Sequence, residues 1–318
     1  MIRVLALMMA LALGGCSVAR AILADSPCFT ERLVVIPDRE LVLANATNGQ
    51  AGKEIAEAVF DGRTDAVTAM IKRDNRLFAT QVGYDKSKFS ERPKGQYGDL
   101  LTFAISRCDL TMEKHLLDLG MPINGIEVGG GLTLALLADT PEMAELLLQR
   151  GASPDPQKLG GENAFNEIAS FQQVGGVMML LRHGLDVNWE DEFGFTHLQT
   201  ALGMEQYRIA ELLIEKGSNP WRIGTGGAIP AQYFSRPMII ENAENNQARL
   251  RLLAKAEAEA NAKGFPWPLP DFKGVRKMVL LGKWPTKDML AAGVPPVSPV
   301  VMAHMRERFS KEIDQPAP

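Results

Sequence analysis

Histidine and cysteine are scarce in this chain, with four His and three Cys among 318 residues. No Cys-x2-Cys or His-x3-His spacing gathers them into a zinc site, which points away from a metalloenzyme. Excess basic charge is also missing. Lys and Arg number 34 against 38 Asp and Glu, for a formal net charge of -4, and the pI is near 5.7. No global positive field exists to condense on nucleic acid or on an anionic surface. Aromatics are few, at 7%. There is no Gly-x-Ser-x-Gly nucleophile elbow and no Walker loop ending in Gly-Lys-Ser or Gly-Lys-Thr, so neither the serine-hydrolase nor the nucleotide-cradling template has its parts. The apolar run near the start, Val4 to Leu13, is about ten residues long, short of the roughly 20 that a membrane-crossing helix needs. What remains is ordinary for a folded chain: 46% hydrophobic, 23% charged, and long enough for two compact domains.

The N-terminus reads as a targeting segment. Arg3 precedes the Val4–Leu13 run, and Leu13-Gly14-Gly15-Cys16 closes it. This closing tetrapeptide resembles the lipobox of bacterial lipoproteins. The resemblance implies removal of residues 1–15, acylation of Cys16 at its thiol and new amino group, and stable membrane attachment through more than one acyl chain. With Ser17 rather than an acidic residue next, it further implies retention at the periplasmic face of the outer membrane. An oxidising compartment would let the other two cysteines pair. Cys28 and Cys108 are the candidates. A bridge between them would close a loop of about 80 residues and contribute on the order of 4 kcal/mol in the chain-entropy model, and the alternative is two buried thiols that never meet.

The central pattern is a leucine-rich helix ending in glycine. It recurs as His115-Leu116-Leu117-Asp118-Leu119-Gly120, Leu146-Leu147-Leu148-Gln149-Arg150-Gly151, Leu180-Leu181-Arg182-His183-Gly184 and Leu212-Leu213-Ile214-Glu215-Lys216-Gly217. The glycines are 31, 33 and 33 residues apart. Paired apolar residues stand four and three positions before each, and Met112, Met143, Gly176 and Ile209 stand eight before. These offsets place one apolar stripe on one helical face, with Gly supplying a left-handed cap. Four residues after the glycines come Asn124, Asp155, Asn188 and Trp221, the first three being turn formers. A period of 33 with this terminator resembles the ankyrin repeat. Gly194-Phe195-Thr196-His197-Leu198-Gln199-Thr200-Ala201 keeps the Gly, Thr, Leu and Ala of that repeat's opening while replacing its Pro and His. Gly131-Leu132-Thr133 and Gly161-Glu162-Asn163 are weaker openings, and a poorer copy covers Ile55 to Asp74.

The resemblance implies an all-α, ankyrin-like helical-repeat solenoid of five to six repeats over residues 55–250. A tether and N-terminal cap are expected over 16–54. The segment 251–318 is expected to hold a capping helix, rich in Ala, Glu and Lys from about Asn246 to Lys263, then a Pro- and Trp-containing extension with one or two short helices around 273–281 and 298–312. One repeat alone would not fold, because each buries its apolar face on its neighbours.

No constellation for catalysis, metal or cofactor emerges, and none is expected. Gly129-Gly130-Gly131 and Gly224-Thr225-Gly226-Gly227 read as turns between repeats. His115 and His183 precede capping glycines, and His197 takes the place of the repeat's Pro, so all three read as structural. Glu190, Asp191 and Glu192 read as a solvated tip. Binding is better supported. The residues expected to face a partner are Trp189, Asp191 and Phe193 after Gly184, and Trp221, Arg222 and Ile223 after Gly217, since Trp and Arg are enriched at interface hot spots. The competing reading packs these aromatics under the C-terminal Pro-Trp segment. A second candidate is the insertion from Tyr84 to Tyr97, a basic tip carrying Lys86, Lys88, Arg92 and Lys94, for which a solvated loop is the favoured reading over a ligand site. The expected partner is another protein, with the membrane met only through the lipid and with no nucleic acid or small-molecule substrate. Ankyrin lipoproteins of this look include immunity proteins that neutralise phospholipase effectors of type VI secretion systems. The alternative is a scaffold or stress-related adaptor organising periplasmic envelope proteins.

Overall fold

The glycines that close the repeats all adopt the left-handed conformation, with φ of 95° at Gly120, 99° at Gly151, 92° at Gly184 and 106° at Gly217. Each is followed by the same reverse hydrogen bond: Met121 N to Leu116 O, Ala152 N to Leu147 O, Leu185 N to Leu180 O and Ser218 N to Leu213 O. This is the Schellman closure, which satisfies carbonyls that a helix end leaves orphaned. Leu116, Leu147, Leu180 and Leu213, four positions before the glycines, are completely buried. The second member of each pair is less so, down to half-buried Leu181 and Ile214.

The computed structural model describes residues 39–44, 46–82, 98–123, 131–137, 140–155, 164–239 and 242–312. Among the described residues the chain is helical, with two isolated β-bridges, Gln81 with Asp99 and Glu190 with Thr196. It divides into two units, residues 1–168 and 169–318.

In the first unit, α1 (Arg39–Ala44) leads to the pair α2 (Gly49–Phe60) and α3 (Thr64–Arg73) and a 3-10 turn at Asn75–Ala79. The pairs α4 (Leu100–Ser106) with α5 (Leu110–Asp118) and α6 (Gly131–Leu137) with α7 (Pro141–Gln149) follow. First helix stacks on first helix (α2 on α4, α4 on α6), and α5 stacks on α7. Asp99 and Asp109 cap α4 and α5 by accepting from Thr102 N and Met112 N, a bond worth about 1 kcal/mol per cap. His115 ties two repeats together, its Nε2 lying 2.8 Å from Thr68 Oγ1 and 3.0 Å from Thr64 O. Thr47 N donates to Gln81 O and Asn48 Nδ2 to Thr80 Oγ1, so residues 46–54, within the stretch expected to hold a tether and N-terminal cap, are packed with the first helix pair.

The helix α8 (Ala164–Ser170) spans the division between the units. The second unit continues with α9 (Val174–Arg182), then the pair α10 (His197–Gly203) and α11 (Tyr207–Glu215), and then α12 (Pro230–Phe234) and α13 (Ala243–Lys263). A capping box opens α10, Thr196 accepting from Gln199 N while Gln199 Oε1 accepts from Thr196 N. The 21-residue α13 packs on α11 and α12. Its buried line is Asn245, Ala248, Leu252, Ala256 and Ala260, so it is the second helix of a last pair and the 250/251 boundary expected from sequence falls inside it. The extension then forms three short helices, α14 (Phe272–Leu280), α15 (Lys287–Ala291) and α16 (Pro299–Phe309). The same Schellman bond closes α13, α14 and α15 at Gly264, Gly282 and Gly293.

Candidate functional site

Between the helix pairs of the second unit the chain protrudes as turns, and two successive fingers, 185–196 and 218–229, carry the residues singled out from sequence. The first is a narrow hairpin. Asp186 Oδ1 accepts from Asn188 N at 2.9 Å, the bridge pairs Glu190 with Thr196, and Asp191 N donates to Phe195 O at 3.0 Å. The Asp191 carboxylate binds the tip from inside, one oxygen accepting from Phe193 N at 2.9 Å and from Phe195 N at 2.8 Å. Asp191 is therefore the organiser of the finger. Glu190 forms an ion pair with Arg222 of the next finger, and Ser218 Oγ donates to Val187 O at 2.9 Å. The acids expected to be a solvated tip are thus structural at Glu190 and Asp191, and only Glu192 is freely exposed.

The second finger is not a tip at all. Trp221 is 1% exposed and Ile223 2%. The Trp221 ring meets Phe265 edge-on at 5.1 Å and Trp267 at 6.3 Å, and its Nε1 donates to Glu259 Oε2 at 3.0 Å. Two of the residues expected to face a partner, Trp221 and Ile223, are therefore core residues under the C-terminal extension. The physical reason is that an aromatic with one polar tip is best buried with that tip paired, and the Pro-Trp segment and α13 supply the cover. The glycine turn Thr225–Gly227 is the docking point for the extension: α14 and α16 both pack on it, Arg276 Nη1 donates to Gly226 O at 2.9 Å, and at Gly227 (φ 82°) a Cβ would lie 2.5 Å from Arg276 Cγ and 2.6 Å from Phe272 O. Arg222 is part-buried, holding Glu190 and donating to Asn188 O at 3.4 Å.

Of the expected residues, Trp189 and Phe193 keep an outward role. Trp189 is half-buried and stacks on His197 at 5.2 Å. His197 is 1% exposed, and burial pulls its pKa down to about 4 against a weak opposing effect of Asp186; it is a neutral ring supporting the finger. Phe193 is 44% exposed, touched on one side by His304 at 5.7 Å. Phe195, 39% exposed, completes the surface. Phe195 belongs to the repeat opening Gly194 to Ala201 and is not among the residues expected to face a partner; its place beside the capping Thr196 is the signal that it lies at the finger's edge. Cys16, Cys28 and the 84–97 insertion lie outside the described residues. Cys108 is disulfide-bonded, and its partner lies outside them too.

Among the described residues, no group of His, Cys, Asp and Glu is arranged to hold a metal ion, and no helix is long and apolar enough to cross a membrane. A fixed finger displaying aromatic side chains from a stack of helix pairs defines a helical-repeat interaction module. Residues 132–223 match the ankyrin repeats family in three copies. A protein of Treponema pallidum (strain Nichols) named as ankyrin repeat-containing is 30% identical over 114 residues, covering 34% of this chain. The match spans 38% of that relative's length. The chain thus carries ankyrin repeats within an all-α helical-repeat solenoid, an architecture that serves protein–protein interaction and is generally non-catalytic.

Proposed function

We propose that this chain binds another protein through the 185–196 finger, is held at the periplasmic face of the outer membrane by acylation of Cys16, and neutralises a lipase effector of a type VI secretion system by occluding its active site. The observation that carries the binding reading is the pair Phe193 and Phe195, large apolar side chains left open to solvent on a hairpin whose backbone Asp191 fixes. Rigid aromatic anchors lose little conformational entropy on binding, which is why such residues concentrate interface energy. The anchor and the immunity role rest on the lipobox-like Leu13-Gly14-Gly15-Cys16 and on the resemblance to ankyrin lipoproteins. Sulfur accounting adds support for Cys28 as the partner of Cys108: an acylated Cys16 has no thiol left to oxidise, and Cys28 is then the other cysteine in the chain.

The test is to express the tagged chain in its native host, crosslink lightly in the periplasm and identify what co-purifies by mass spectrometry, beside a Phe193→Ser, Phe195→Ser double variant. One dominant lipase-like protein lost in the variant, together with protection of cells against that lipase, supports the proposal. A set of envelope proteins retained by the variant would replace it with a scaffold role.

A further inference from the structure

At the other end of the same helices, where the first helix of each pair turns into the second, the second unit exposes a different surface. Phe171 is 47% exposed after α8, Met204 39% after α10, and Ile239 91% after α12. These three turns are tied side by side. Asn242 Nδ2 donates to Gln172 Oε1 at 3.4 Å, and Ile239 N donates to both oxygens of Glu205 at 2.8 and 3.1 Å. A nearly naked isoleucine held in place by its own amide costs solvation with no return inside the chain.

Next to it opens a cleft of about 570 Å³ lined by Pro237, Met238, Asn242, Asn246 and Arg249. That volume lies within the range of ligand-accepting clefts. Among the described residues its lining holds one cation, Arg249, and no carboxylate. Elsewhere on these helices the arginines are neutralised, Arg208 by Glu244 and Arg251 by Glu211. Arg249 instead donates to Phe234 O and Asn246 Oδ1, and Arg236, beside Pro237, lies over the rings of Phe272 and Tyr233. Neither meets a carboxylate among the described residues. Arg249 is the cation that lines the cleft, and Arg236 adjoins its wall residue Pro237 in the chain. Glu205, the carboxylate nearby, is engaged by the Ile239 amide.

We infer that this cleft is a second docking site, taking a protruding peptide segment of a partner protein that presents a carboxylate beside a large apolar side chain. The carboxylate answers Arg249 in the cleft wall, and the apolar side chain covers Met238 and Ile239. A concave, part-polar cleft suits a protruding segment, whereas a bilayer would call for a flat or convex apolar face. The site is independent of the finger. It lies at the opposite end of α10, a 7-residue helix, roughly 10 Å away at 1.5 Å per residue.

The experiment is selection of random peptides displayed on phage against the immobilised full chain, followed by fluorescence polarisation with the synthesised winners. The enriched peptides are expected to carry Asp or Glu next to Leu, Ile or Phe. Their affinity should fall about tenfold in Ile239→Asp and in Arg249→Gln, with the fold intact by circular dichroism, and should not change in Phe193→Ser, Phe195→Ser. Winners without an acid, winners that bind Ile239→Asp and Arg249→Gln as well as the parent, or a failure to enrich any peptide would overturn the inference. So would sedimentation of the unlipidated chain with phosphatidylglycerol vesicles that is lost in Ile239→Asp, since the surface would then be a membrane face. Loss of peptide binding in the finger variant alone would assign the peptides to the finger and contradict a second site.

Discussion

Trp221 and Glu259 stand 38 residues apart in sequence and share a hydrogen bond, the indole Nε1 donating to Glu259 Oε2 at 3.0 Å. That bond joins the last finger to the long helix α13, and with Phe265 and Trp267 it turns a residue that sequence alone would offer to a partner into the centre of the C-terminal core. Removal of the ring should therefore act on stability. Trp221→Ala is expected to cost about 3 to 5 kcal/mol, and Trp221→Phe less, with the loss of the bond to Glu259 costing about 1 kcal/mol. Phe193→Ser should change stability by less than about 0.5 kcal/mol. Urea unfolding of the three variants checks the ordering.

Sequence legibility follows from how local each cause is. The Gly terminators and the leucines four before them are set by helix periodicity and left-handed capping within one turn, and Leu116, Leu147, Leu180 and Leu213 are all fully buried. The fate of Trp221 depends on Phe265 and Trp267, distant in the chain, and carries no local mark. The helix α13 is disguised by its Glu and Lys content, because its buried line is mostly alanine. On the finger, Phe193 was legible as an aromatic after a capping glycine, whereas the role of Asp191 was not, since a carboxylate that accepts two backbone amides has the same sequence as a solvated one.

Glu113 breaks the repeat register. Seven residues before the glycines stand Glu113, Ala144, Val177 and Ala210, all fully buried. Among the described residues neither carboxyl oxygen of Glu113 has a hydrogen-bond partner, and burial pushes its pKa up to about 8. An unfolded Glu ionises near 4.3, so this residue opposes folding progressively as pH rises from there to about 8, by a few kcal/mol in order of magnitude. Glu113→Met should be more stable than the parent at pH 8 and close to it at pH 4.5. Chemical unfolding at the two pH values measures the difference, and a gap that does not widen with pH would contradict the assignment.

His197 acts in the opposite direction. Its pKa is lowered to about 4 by burial, below the unfolded value near 6.5, so its contribution is present above that value and is lost as pH falls toward 4. His197→Phe keeps a ring for Trp189 to stack on and should lose less stability than the parent between pH 7 and 4.5. Thermal unfolding across that interval provides the comparison.

The disulfide at Cys108 should link to Cys28. Digestion under non-reducing conditions, with free thiols blocked beforehand, is expected to yield one Cys28–Cys108 peptide that disappears on reduction. Cys108→Ser should lower stability by up to about 4 kcal/mol, given the length of the loop. Recovery of a Cys16–Cys108 peptide instead would exclude acylation of that sulfur and remove the basis for the membrane anchor.

The most direct test of the account is a photoreactive benzoyl-phenylalanine placed in turn at positions 193, 195 and 250, followed by irradiation of living cells of the native host. Leu250 is the control, being 49% exposed on α13, an element separate from the finger. Binding through the finger predicts one discrete protein adduct from positions 193 and 195 and none from 250. The same adducts from all three positions, or none from 193 and 195, would show that the finger is not the contact surface.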